Sequence, residues 1–82
     1  MYKVLKKNGE VQDFDPKKIE EAVIKSGGTE DEGIKIANEI ESWLDEVAQD
    51  GVVDGILIRS KVIELLQEIN PDAAAAFEAY RK

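Results

Sequence analysis

The chain has 82 residues, of which 43% are hydrophobic and 35% charged, and this length and composition predict a single domain over residues 1–82. Because cysteine and histidine are absent, we expect no zinc site, thiol nucleophile or imidazole base. The net charge of −7 divides into +2 on residues 1–18 and −9 on the remainder, so nucleic acid and membrane are excluded as partners, but a small anion can bind the basic end. Lacking disulfides, a signal peptide and an apolar run of roughly 20 residues, the protein is expected to be cytoplasmic, with no catalytic and no metal site.

The first fifteen residues predict a β-hairpin. Two short β-prone runs, residues 2–6 and 11–14, flank Asn8-Gly9, a dipeptide typical of tight turns. The hairpin register has two alternatives. A two-residue loop pairs Lys6 with Val11, whereas a three-residue loop with a glycine bulge pairs Leu5 with Val11.

We favour the three-residue loop because it gives the hairpin one apolar face. The residues on that face are Tyr2, Val4 and Phe14.

Two helices follow the hairpin. Asp15-Pro16 predicts the N-cap and first residue of a helix over residues 16–26, which a glycine pair ends. Thr29 and Glu32 have the spacing of a capping box and predict the start of a second helix. The apolar stripe of that helix ends before Asp50-Gly51.

A third strand and two more helices complete the predicted fold. Val52-Val53 can pair with the hairpin, which alone is marginal in water. Asp54 caps a third helix and Asn70-Pro71 a fourth. The apolar positions of the fourth helix are Ala73, Ala76, Phe77 and Tyr80. This order predicts the α+β class, with a short β-hairpin or three-stranded sheet capping a four-helix bundle.

The candidate binding site is the Lys6-Lys7-Asn8-Gly9 turn together with the start of the first helix, which we expect to meet. A helix N-terminus offers unpaired amides to an anion, and lysines bind phosphate as point charges, so the pattern suits a polyphosphate. Spacing alone leaves open the alternative that these lysines are solubilising charges protecting a sheet edge.

The segment from Val4 to Ile19 resembles the opening of the ATP-cone family. The family pattern is Val, any residue, Lys, Lys or Arg, Asp or Asn and Gly, followed by a Phe-Asp pair and a Lys-Ile pair. The resemblance extends along the chain, because ATP-cones are also a small β cap on a four-helix bundle and end in an aromatic, Arg-containing helix like residues 77–81. It implies a regulatory domain for ATP or dATP, as found at the N-termini of ribonucleotide reductases, in the reductase-gene repressor and occasionally alone.

The resemblance also implies a set of nucleotide-binding residues. They are Val4, Lys6, Lys7, Asn8, Gly9, Gln12, Phe14, Asp15, Lys18, Ile19 and Arg59. The lysines would face the phosphates and the apolar side chains would wall the adenine pocket, with Gln12 and Asp15 near the base. The chain departs from the family at Gln12, where reductase cones often carry Glu, and at Gly55 and Arg59, where they often carry Thr and His. Arg59 can still bind phosphate.

We therefore expect a stand-alone ATP-cone that binds ATP or dATP reversibly, with or without Mg2+. Binding would change its association with itself or with a nucleotide-metabolism protein. The alternative is a protein-interaction or dimerisation module that keeps the ATP-cone fold and has lost the nucleotide, which the departures at Gln12, Gly55 and Arg59 favour.

Overall fold

Three strands and four helices make up residues 2–79, the part of the chain that the computed structural model describes. In chain order they are β1 (Lys3–Leu5), β2 (Val11–Asp13), α1 (Pro16–Lys25), α2 (Glu30–Val47), β3 (Val52–Asp54), α3 (Gly55–Ile69) and α4 (Pro71–Ala79). The α+β class and the third strand are confirmed, and the arrangement of the helices as one bundle stays a prediction. Tyr80 and Arg81, which the sequence places in the last helix, lie outside the described residues.

The hairpin has the three-residue loop that the sequence favours. β1 and β2 pair antiparallel with Leu5 opposite Val11. At the end of this ladder the Lys6 amide donates to the Glu10 carbonyl at 2.8 Å, and the Gly9 amide donates to the Lys6 carbonyl at 3.0 Å. Gly9 has φ +88°, a left-handed conformation in which any Cβ would be strained. The favoured register is therefore confirmed.

The third strand pairs with β1, so β1 is the central strand of the sheet and β2 and β3 are its two edges. β3 lies parallel to β1, with Val53 opposite Val4, and the strand order is β2-β1-β3. Because residues that pair across strands point to the same face, Val53, Val4 and Gln12 all face the helices. Val53 is 4% exposed, Val4 is half-buried and Gln12 is exposed. The inner face of the sheet is thus covered at β3 and open at β2.

A glycine pair ends α1 and a capping box begins α2, as the sequence predicts. Gly27 has φ +105°, and the Gly28 amide donates to the Val23 carbonyl at 2.9 Å, which together form a Schellman motif. The Thr29 hydroxyl oxygen accepts from the Glu32 amide at 3.1 Å, while the Glu32 carboxylate accepts from the Thr29 amide at 2.9 Å. These local bonds fix the reversal between the two helices.

Asp54 and Asn70 cap α3 and α4. The Asp54 carboxylate accepts from the Ile56 amide at 2.9 Å, and the Asn70 side-chain oxygen Oδ1 accepts from the Ala73 amide at 3.1 Å. The side-chain Nδ2 atom of Asn70 also donates to the Glu32 carboxylate at 3.1 Å. Glu32 therefore joins the start of α2 to the start of α4.

The core lies between the helices and is closed by the sheet. Helix α1 packs on α2, and α3 packs on both α4 and α2. The large side chains that are fully buried are Val23, Ile36, Ile40, Leu44, Val62 and Leu66. Each such side chain contributes roughly 1.5–3 kcal/mol of apolar burial. Within residues 2–79, every helix is too short or too polar to cross a bilayer.

Candidate functional site

The inner face of the hairpin carries several of the predicted site residues. Strand alternation places Val4, Lys6, Gln12 and Phe14 on this face, which we call the hairpin underside. Val4 and Phe14 are half-buried against the core, whereas Lys6 and Gln12 are exposed. Because Lys6 and Gln12 are exposed while Val4 and Phe14 are half-buried, the underside is an apolar surface bordered by polar side chains that solvent reaches. A flat apolar ring can lie on such a surface.

The hairpin turn presents two ammonium groups to solvent. Lys6 and Lys7 are both exposed. The Asn8 side-chain oxygen accepts from the Glu10 amide at 3.0 Å, which rigidifies the turn from within. Asn8 and Gly9 therefore shape the turn, and the two lysines that precede them remain available to an anion.

The start of α1 is built as the sequence predicts. The Asp15 carboxylate accepts from the Lys17 amide at 3.0 Å as the N-cap, followed by Pro16 at the first helical position. Lys18 is exposed in the first turn, and Ile19 is half-buried against the core. One Asp15 oxygen is thus engaged by the helix, and a role of this residue near a base stays a prediction.

The turn and the start of α1 do not meet, contrary to the sequence-based expectation. The turn closes the end of the ladder at Leu5 and Val11, whereas α1 begins beyond the other end, where Lys3 pairs with Asp13. The two ends of the ladder are two residue steps apart along the strand, a distance of about 7 Å. The turn lysines and Lys18 therefore lie towards opposite ends of the hairpin. A ligand that contacts both must extend along the hairpin.

The helix that begins beside the turn is α3. Leu5 pairs in parallel with Asp54, the residue before α3, so the turn and the α3 N-terminus share one end of the sheet. A Cβ on Gly55 would lie 3.2 Å from both the Val4 Cγ1 atom and the Leu5 carbonyl oxygen. Gly55 thus permits close approach of α3 to β1. A glycine at the first helical position directly after a strand was the sequence signal for this contact, and we did not predict it.

Arg59 lies one helical turn beyond Gly55 and reaches α4. Its Nη2 atom donates to the Glu78 carbonyl at 2.7 Å, and its guanidinium carbon lies 5.6 Å from the centre of the Phe77 ring. The second contact is within the range of a cation–π interaction. Arg59 therefore connects α3 to the last described turn of α4. Its predicted contact with phosphate stays a prediction.

The positive charge of the site is not neutralised by neighbouring carboxylates. Within residues 2–79 the ion pairs join Lys3 to Asp13 and Lys61 to Glu64, and neither includes a lysine of the predicted site. Hydrogen bonding and the charge of Lys3 hold the pKa of Asp13 below its usual range. In the same range no three acidic side chains are grouped as a metal site.

Comparison with known proteins supplies a family. The sequence profile of the ATP cone domain family matches residues 2–82. The match includes every strand and helix described above, together with all the predicted site residues. No curated protein and no solved structure matches the chain.

Proposed function

The chain belongs to the ATP-cone family, whose members are nucleotide-binding regulatory modules, and from this premise we propose that residues 1–82 form one cytoplasmic regulatory domain that binds ATP or dATP reversibly. Occupancy would alter the association of the domain with itself or with a partner from nucleotide metabolism. The chemistry is binding alone, with Mg2+ entering as the companion of the triphosphate.

The observation that carries this proposal is the open hairpin underside. On the inner face of the sheet Val53 of β3 is buried by the core, whereas Gln12 of β2 is exposed, and the apolar side chains of Val4 on β1 and of Phe14 just after β2 are only half-buried. Adenine is a flat, largely apolar ring with polar edges. Gln12, exposed on the same face, can exchange hydrogen bonds with such an edge, because its amide both donates and accepts.

The lysines at the two ends of the hairpin supply the charge that a triphosphate needs. Lys6 and Lys7 stand at the turn and Lys18 in the first turn of α1, all exposed and outside the described ion pairs. In a chain of net charge −7, an exposed group of unpaired lysines gives the small anion a local region of favourable potential. The same charges are too few to hold a nucleic acid backbone.

A second candidate function is favoured by the outer surface at the turn end of the sheet. Leu5 and Val11 pair on the outer face, and Ile56 and Leu57 lie in the first turn of α3; they are 37%, 53%, 51% and 53% exposed. Exposed apolar residues grouped at one end of a small domain are typical of interaction surfaces. A protein-interaction module that no longer binds nucleotide would use this surface alone.

Calorimetric titration with ATP and dATP, with and without Mg2+, tests the proposal. We expect saturable binding that Lys6→Ala and Lys18→Ala weaken, because each removes one positive charge from the border of the proposed site. The matched control is Lys25→Ala, which removes an exposed lysine from the last turn of α1 and should leave the affinity unchanged. Absence of binding at millimolar nucleotide would overturn the proposal and favour the interaction module, whose mass by light scattering would then rise with protein concentration regardless of nucleotide.

A further inference from the structure

Arg59 is the side chain that joins the turn end of the sheet to α4. It donates to the Glu78 carbonyl at 2.7 Å and lies over the Phe77 ring at 5.6 Å. Glu78 lies in the last described turn of α4, so this contact ties α3 to that turn. Phe77 is half-buried against the core, and the contact therefore orders a packed element.

Most of the hydrogen-bonding capacity of Arg59 is unused by this contact. A guanidinium group has five N–H donors, and the structure gives one of them to Glu78. Among residues 2–79 no carboxylate forms an ion pair with Arg59, although the chain carries 18 acidic residues. The contacts described for residues 2–79 therefore leave donors of the Arg59 guanidinium for an oxyanion.

Arg59 lies on the face of α3 that approaches the proposed nucleotide site. Arg59 follows Gly55 by four residues, so both lie on the same face of α3. Gly55 is in close contact with Val4 on the hairpin underside and with the carbonyl of Leu5. The next residue along the chain is Lys6, the first lysine of the turn.

We propose that Arg59 couples nucleotide binding to α4 by holding a phosphate oxygen and the Glu78 carbonyl with the same guanidinium group. The inference rests on the proposed function and names its regulatory output. A phosphate on the remaining donors fixes the Arg59 side chain without displacing Nη2 from Glu78, because separate donors serve the two acceptors. Binding then slows the opening of residues 76–79, the last described turn of α4, and by linkage an ordered α4 raises nucleotide affinity to the same degree.

Amide hydrogen exchange at residues 76–79, measured by NMR with and without ATP, tests the coupling in the full chain. We expect ATP at saturation to slow exchange there by about fivefold or more, the lower end of coupling between linked sites. Arg59→Lys keeps the charge but lacks the planar fork, so it should bind ATP a few-fold more weakly and lose this ATP-dependent slowing. Lys61→Ala is the matched control, since Lys61 lies on α3 but pairs with Glu64, and it should behave as wild type.

The outcomes separate the coupling from the proposed function. If calorimetry shows ATP binding while exchange at residues 76–79 stays unchanged or becomes faster, the coupling is overturned and the nucleotide-binding function stands. Equal slowing in Arg59→Lys and wild type overturns the role of Arg59. If wild type binds no ATP, the coupling and the proposed function fail together.

Discussion

Replacing Gly33 with alanine has two opposing effects on stability: the helix propensity of α2 rises, and the packing between α1 and α2 becomes too tight. Gly33 is buried within α2, and a Cβ added there would lie 3.1 Å from the Glu20 carbonyl oxygen and 3.3 Å from the Glu20 Cα atom. Alanine gains about 1 kcal/mol over glycine in a helix interior. Overpacking against backbone atoms, which cannot rotate away, costs about 1–3 kcal/mol. We expect Gly33→Ala to lower the free energy of unfolding by up to about 2 kcal/mol.

Urea unfolding followed by circular dichroism measures this effect, and thermal unfolding should show a drop of about 4–8 °C for each kcal/mol lost. Ala75→Gly provides the control, because Ala75 is exposed in α4 and its replacement reports propensity alone, at a cost of about 1 kcal/mol. A Gly33→Ala protein that is more stable than wild type by about 1 kcal/mol would refute the close approach of α1 and α2.

Three further changes test other parts of the fold. Leu66→Ala empties a fully buried position and should cost about 2–5 kcal/mol in urea unfolding; a loss below 1 kcal/mol would contradict its place in the core. Gly27→Ala forces a Cβ into φ +105° and should cost about 1–2 kcal/mol, so an unchanged midpoint would argue against the Schellman motif. Hydrogen bonds from Thr29 and Asn70 hold the pKa of Glu32 below its usual range, so its stabilisation is present above the ordinary glutamate pKa and is lost as pH falls through the lowered value. The stability gap between wild type and Glu32→Gln should therefore close in acid, and a gap independent of pH would count against these bonds.

The sequence predicts the elements of this fold well because their signals are local. Asp15 caps α1, and the Thr29 capping box begins α2, through hydrogen bonds that span three residues or fewer. Gly9 likewise determines the three-residue loop through interactions confined to residues 6–10. Such interactions depend on neighbours along the chain, so each can be read without knowledge of the tertiary structure.

The arrangement of the site could not be predicted in the same way because it depends on long-range pairing. Because β3 is parallel to β1, Gly55 and the start of α3 lie at the turn end of the sheet. Because the hairpin is antiparallel, α1 begins at the opposite end of the sheet. Arg59 reaches Glu78 across 19 residues of sequence. The family resemblance implies which residues bind the nucleotide, but it does not show which of those residues lie next to one another in the fold.

The central claim is that an adenine nucleotide binds on the hairpin underside, and an NMR titration of the full chain with ATP tests it most directly. We predict saturable shifts of the amide signals of Val4, Gln12, Phe14 and Ile19, with the signal of the exposed Lys35 on α2 as an unmoved reference. Spectra that stay unchanged at millimolar ATP, or shifts confined to α2, would contradict the account.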